Sequence, residues 1–240
     1  MSYFVINSHM NQRIELISTL NKECQGLAPE EILEISIKKF NNKITYICSF
    51  GTESAIILHM ISKIDTKFPI FLLNTHFLFP ETIAYKNKLL KKLRLTNCLD
   101  IFPDELLIKQ EDPKNSLWMN NTDRCCEIRK VKPLDKILKN YSSWISGRKS
   151  YHQGERIDLK PFELLNKKIV VNPLINIKKK AADNYFEAND LPAHPLLKKG
   201  YLSIGCIHCT FKTTDKSNMR SGRWNNTIKT ECGIHFNKKN

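Results

Sequence analysis

Apolar positions along the chain change their period several times, and each change marks an element. In "GLAPEEILEISIKKF" (26–40), Ile32, Leu33, Ile35, Ile37 and Phe40 have a helix-like distribution, with acids early and lysines late. "KITYICSF" (43–50) is β-branched and aromatic, is bounded by Asn and Gly, and predicts a buried strand. A short turn, "GTES", leads into "AIILHMISKI", which predicts a helix. The pattern then repeats. "KFPIFLLNT" predicts a strand, "PETIAYKNKLLKKLR" a helix with Pro80 near its start and a basic end, and "NCLDIFPD" a third strand. Strand–helix–strand–helix–strand predicts an α/β fold, a mostly parallel sheet with helices on both faces. Further strands are expected at "SSWISGR" and "KKIVVNPL". From about residue 205 the chain turns polar with little periodicity. A single domain over 1–210, with N-terminal helices, and a mobile C-terminal tail over 211–240 are expected.

Composition adds few constraints. The chain has 240 residues, enough for one substantial core, and 41% of them are hydrophobic. No apolar run approaches the roughly 20 residues of a membrane span. The first residues, "MSYFVINSHMNQRIEL", lack a basic segment followed by a long apolar stretch, so the expected compartment is the cytosol. A net charge of +14 would suit a polyanionic partner. The lysines, however, are scattered through "NKKITY", "KLLKKLR", "LNKKI" and "NIKKK", with no aromatic-interleaved basic block. Nucleic acid is therefore not the expected partner, and individual cations are judged by motif.

The eight cysteines change the picture more. In a reducing compartment the default for cysteine motifs is metal binding or catalysis, because structural disulfides would not persist. "TDRCCEIRKV" (122–131) sets Cys125 beside Cys126, and "SIGCIHCT" adds Cys206 and Cys209 at CxxC spacing. Successive helical residues diverge by about 100°, so adjacent cysteines meet one small ion poorly. A 4Fe-4S cluster offers each thiolate its own iron and ranks ahead of zinc, with inert thiols third. Cys24, Cys48 and Cys98 fall in apolar settings and are read as small core hydrophobes. Cys232, in "KTECGIHF", has Lys229 and His235 beside it and Arg220 and Arg223 upstream. Such cations favour a thiolate, although a lone tail cysteine is more often incidental. Where the first strand gives way to its helix, "SFGTES" places Ser49, Gly51 and Ser54 in the crevice where open α/β sheets bind ligands. It is neither a Walker A loop nor GxGxxG, and small residues turn many such corners.

Several of these segments together carry a resemblance. The "SFGTES" loop resembles the SxGxxS loop of the PP-loop superfamily, the adenine nucleotide alpha hydrolase-like fold. "NTHFLFPET" (74–82) is similar to the DTGxLFPET segment of its sulfonucleotide reductases, with Asn74 and His76 where Asp and Gly are usual. "CCEIRKVKPL", "GYLSIGCIHCT" and the ending "GRW…KTECGIH" resemble the corresponding motifs of assimilatory adenylyl-sulfate (APS) reductases. The resemblance runs from about residue 43 to 236. It implies that Cys125, Cys126, Cys206 and Cys209 ligate one 4Fe-4S cluster, with Lys130 between cluster and substrate. It also implies substrate contacts from Ser49, Gly51, Ser54, Thr75, Lys149, Arg156, Arg220, Arg223 and His235. "WISGRKSYHQGER" supplies Lys149 and Arg156 from a segment of GxRxxQ type, and His194 in "LPAHPLLKKGY" is expected to be structural.

The implied reaction is attack by Cys232 on the sulfur of APS, with AMP leaving and a thiosulfonate left on Cys232. A dithiol such as thioredoxin or glutaredoxin then releases sulfite. A phosphoadenylyl sulfate (PAPS) reductase is the nearest alternative, although such enzymes usually lack the paired cysteines. A PP-loop iron–sulfur enzyme of tRNA thiolation comes next, and a zinc module binding nucleic acid last. A homo-oligomer is left open.

Overall fold

The computed structural model describes residues 3–215, 217–224 and 229–236, with side chains from residue 10 onward. The expected helix over 26–40 runs as α2 (Pro29–Phe40), preceded by a long α1 (Tyr3–Glu23) that packs on the edge of the sheet. Glu30 and Glu31 open α2 and Lys38 and Lys39 close it, as its dipole favours. The alternating units follow as β1 (Ile44–Ile47), α3 (Ser54–Ile64), β2 (Ile70–Leu73), α4 (Pro80–Leu93) and β3 (Cys98–Ile101). Short helices α5 (Glu105–Glu111), α6 (Leu117–Asn120) and α7 (Thr122–Cys126) lead to a π-helical turn over Glu127–Val131 and then α8 (Lys132–Leu138). Strands β4 (Ser143–Ile145), β5 (Phe162–Leu165) and β6 (Lys168–Val171) and helix α9 (Lys179–Ala188) complete the domain.

The six strands lie in the order β3-β2-β1-β4-β6-β5, all parallel to their neighbours except β5, which is antiparallel to β6. Each strand alternates its side chains between the two faces. Tyr46, Cys48, Ile70, Leu72, Ile145 and Val171 join the core with α2, α3 and α4. Ile47, Leu73, Trp144 and Val170 meet Leu134, Ile137 and Leu138 of α8 on the other side. Both faces are therefore covered, as a parallel sheet requires. The hairpin into β5 was not expected from the sequence. Asn166 and Lys167 both take left-handed φ, 48° and 64°, the conformation of a tight two-residue turn that twists with its strands.

This order fixes where a ligand can sit. From β1 the chain steps outward through β2 and β3, then returns to place β4 on the other side of β1. The loops leaving β1 and β4 therefore diverge and open a crevice at their carboxyl ends. The described part of the tail crosses that crevice. Thr210 bridges to Arg223, Trp224 is buried, and a single 3-10 turn runs from Gly233 to His235.

Candidate active site

The crevice is a cavity of about 190 Å³. Ser49, Gly51 and Ser54 line it from the β1–α3 loop, where α3 begins at Ser54. The turn is sharp because Phe50, wholly buried, holds a left-handed φ of 48°. Lys149 and Arg156 line the cavity from the segment after β4, and Arg220, Arg223, Cys232 and His235 from the tail. Three segments far apart in the chain are thus brought to one cavity.

The thiols occupy a second, smaller pocket beside it. Cys125, Cys126, Cys206 and Cys209 are all buried and all line this pocket, together with Phe77, Trp118 and His208. Trp118 and His208 stack at 4.0 Å with their planes 6° apart, and Phe77 meets His208 edge-on. Arg129 lies under this group, fully buried, paired with Asp112 at 2.8 Å and placed over the Phe77 ring. No pair of these cysteines forms a disulfide. Burial, reinforced by Cys206 and Cys209, pushes the Cys125 thiol up to about 11. Burial first, and then Cys206, also raises Cys209. A buried thiol set of this kind gives up its protons readily only to a bound cation. Among the described residues, no three His, Cys, Asp or Glu donors gather at the spacing of a single-ion site.

Lys130 joins the two spaces, because it lines both. The π turn that begins one residue after Cys126 makes this possible. Its extra residue per turn lets the helix carry Cys125, Cys126, Arg129 and Lys130 on the side facing the pockets. Burial alone would lower the Lys130 ammonium, but the sulfurs of Cys206, Cys232 and Cys126 hold it well above the ordinary lysine value. Cys232 is shifted the other way. A hydrogen bond from Cys126 lowers it most, burial opposes, and Lys130 and Lys229 lower it further, leaving it well below an ordinary thiol.

Other expected residues sit differently from the simple picture. Thr75 does not line the large cavity. It is fully buried with its hydroxyl 3.2 Å from Cys206 Sγ, at the thiol pocket. The turn that carries it is tight: His76 takes a left-handed φ of 66°, where glycine would be at ease. Lys149 reaches the cavity but its ammonium donates to Gly147 O at 2.8 Å and pairs with Glu53 at 3.2 Å. Arg223 donates to Cys209 O at 3.1 Å and lies 4.3 Å from the Trp224 ring centre. It fits only because residue 205 is glycine, since a Cβ there would stand 2.3 Å from its guanidinium. His194 is fully buried, bonded to Thr82 and to the Leu196 amide, and is structural.

Sequence reasoning missed the carboxylates that hold these cations. Glu53, inside the "SFGTES" turn, accepts from Tyr151 and pairs with Lys149 and with His152 at 3.1 Å. Burial opposes its ionisation, yet Lys149 and His152 bring it far below the usual carboxylate range. Glu231, next to Cys232, pairs with Arg156 and lies 3.3 Å from Arg220. Burial raises its carboxyl, and His235, Arg156 and Arg220 bring it down to about 2. His235 is itself pushed well below an ordinary histidine, by burial first, so the two arginines carry that effect at neutral pH. Arg148 was missed as well. It lines the cavity and is tied to Glu163 at 2.7 Å and Asn172 at 3.2 Å. Only the position of Glu231 beside the candidate nucleophile could have drawn attention to it in sequence.

A cationic cavity at a sheet switch point, with a cysteine in its lining and four thiols in an adjoining pocket, agrees with the comparisons to known proteins. Residues 43–212 match the phosphoadenosine phosphosulfate reductase domain. The chain belongs to this family. A relative named adenosine 5′-phosphosulfate reductase, from Chelativorans sp. (strain BNC1), is 39% identical over 212 residues, 88% of this chain and 86% of that protein. A relative named phosphoadenosine 5′-phosphosulfate reductase, from Gloeobacter violaceus, is 35% identical over 90% of this chain and 92% of its own. Among solved structures, the phosphoadenylyl-sulfate (PAPS) reductase of Candida auris, a phosphate complex, superposes with a TM-score of 0.69 at 27% identity. It covers 82% of this chain and 97% of its own. The sulfonucleotide reductase resemblance and the PP-loop-like parallel sheet are thus upheld. No described helix is long and apolar enough to cross a membrane.

Proposed function

We propose that this protein reduces adenylyl sulfate to sulfite and AMP in assimilatory sulfate reduction, with Cys232 as nucleophile. The observation that carries this is the placement of Cys232 on the same cavity as the β1–α3 loop and the tail arginines, beside Lys130. The Cys232 sulfur attacks the sulfur of APS, the S–O bond to the phosphate breaks, and AMP leaves with that electron pair. The product on the enzyme is a Cys232 thiosulfonate. Lys130, Arg220 and Arg223 offset the repulsion between an anionic nucleophile and an anionic substrate and stabilise the leaving phosphate. A dithiol of thioredoxin or glutaredoxin type then attacks the Cys232 sulfur, sulfite departs, and the second thiol resolves the mixed disulfide. The two electrons come from that dithiol.

The described part of the tail that carries Cys232 is the element that moves, because Cys232 must face the cavity for the first step and the dithiol for the second. Cys125, Cys126, Cys206 and Cys209 would hold the 4Fe-4S cluster, whose chemistry there is to fix charge next to Lys130. The donor set fits it: four buried thiols line one pocket, with Thr75 bonded to one of them. Ser49, Gly51 and Ser54 are the phosphate-side contacts, and the setting is the cytosol.

Sulfite release from APS and from PAPS with thioredoxin as reductant tests the assignment. APS is the expected substrate, and Cys232→Ser should release no sulfite from either nucleotide. Equal turnover of PAPS would widen the substrate class. Turnover of neither nucleotide by iron-loaded protein would reject the assignment and return attention to tRNA.

A further inference from the structure

Glu231 has no part in the steps above, yet it occupies the cavity. It is only 4% exposed. One carboxylate oxygen pairs with Arg156 Nε and lies 3.3 Å from Arg220 Nη2, and the other accepts the Cys232 amide at 3.2 Å. A planar anion shared between two guanidiniums is the arrangement these groups offer a phosphate or a sulfate. In the substrate-free molecule the chain therefore fills an anion seat with its own side chain.

We propose that the Glu231 carboxylate is a built-in competitor for the anionic group of the substrate, which must displace it from Arg156 and Arg220. The inference rests on the nucleotide reading of the cavity. Part of each arginine's attraction for the ligand goes into breaking an existing ion pair, so ligand affinity is held down. The same side chain accepts a hydrogen bond from the amide of Cys232. Displacement of the carboxylate therefore also releases the backbone that carries the nucleophile. Substrate arrival and release of the Cys232 backbone become one event.

Binding of ADP, a diphosphate with no sulfonate to transfer, tests this in the full-length, cluster-loaded chain. Calorimetry on the parent, Glu231→Gln, Arg156→Ala and the double variant gives the four corners of a cycle. Glu231→Gln is expected to bind ADP about tenfold more tightly, and Arg156→Ala to cost at least about threefold more in the Glu231→Gln background than in the parent. In a separate measurement without nucleotide, alkylation of Cys232 by iodoacetamide should be several-fold faster in Glu231→Gln. ADP affinity unchanged or weaker in Glu231→Gln overturns the inference. So does an Arg156→Ala penalty equal in both backgrounds, which would mean only a general loss of negative charge. An unchanged alkylation rate contradicts the coupling to the nucleophile. If the parent and the Glu231→Gln variant both fail to bind ADP, the nucleotide reading itself falls and takes this inference with it.

Discussion

The two neighbouring pockets hold their thiols in opposite settings. Around Cys125 and Cys209 the surroundings include aromatic rings, and burial raises both thiols. Around Cys232 the wall is cationic, and the thiol is lowered. The surroundings make this difference, and Lys130 and Lys229 contribute to lowering Cys232. Lys130 faces both sides, so it links a thiol set suited to a metal cluster with a thiol suited to attack.

The sharpest way to break this comparison is to remove the thiol that differs. Cys232→Ser should lower sulfite formation by about 10³-fold or more while nucleotide binding, read by calorimetry, stays near that of the parent. Lys130→Met removes the side chain common to both pockets. It should lower kcat by roughly 10²- to 10³-fold, with a much smaller change in KM, in single-turnover measurements. Gly205→Ala would put a Cβ into the Arg223 guanidinium. Because a flexible side chain yields more easily than backbone, the melting temperature should fall by only a few degrees while KM rises about tenfold.

Acid sharpens the contrast further. Glu231 falls from an ordinary 4.5 to about 2 in the folded molecule, so its contribution to tail docking is complete above the unfolded value. It is lost as pH falls through about 2. Limited proteolysis of the tail between about pH 5 and pH 2 should show rising cleavage in the parent and a weaker pH dependence in Glu231→Gln. The smallest effect is expected at His76, which is exposed and holds a φ of 66°. His76→Gly should stabilise the fold by up to about 1 kcal/mol in denaturant titration, less whatever its contact with Phe102 contributes.

What the sequence disclosed follows from how local each feature is. The β1–α3 turn, the four-thiol motifs and the cysteine of the tail are short, dense runs whose chemistry is written in adjacent residues. The parallel sheet was legible because apolar runs of β-branched residues alternate with amphipathic ones. The hairpin into β5 was not, since "FELLNKKIVV" carries neither Gly nor Asp in its turn. The carboxylates were hidden for a different reason. Glu53 meets Lys149 about a hundred residues later, and Glu231 meets Arg156 seventy-five residues earlier, so each looks like an ordinary surface acid until the fold pairs it. The polar, weakly periodic tail offers no apolar pattern from which its position could be read. Its described part docks through ion pairs and the Trp224–arginine contacts rather than through an apolar stripe.

The central claim is that Cys232 attacks a sulfonucleotide bound in this cavity. An anaerobic mass spectrum of the cluster-loaded protein, mixed with APS in the absence of any thiol reductant, tests it most directly. One sulfonate should appear on the peptide that contains Cys232 and disappear when thioredoxin is added. An unmodified Cys232 after exposure to APS and to PAPS, in protein that retains its iron, would contradict the account.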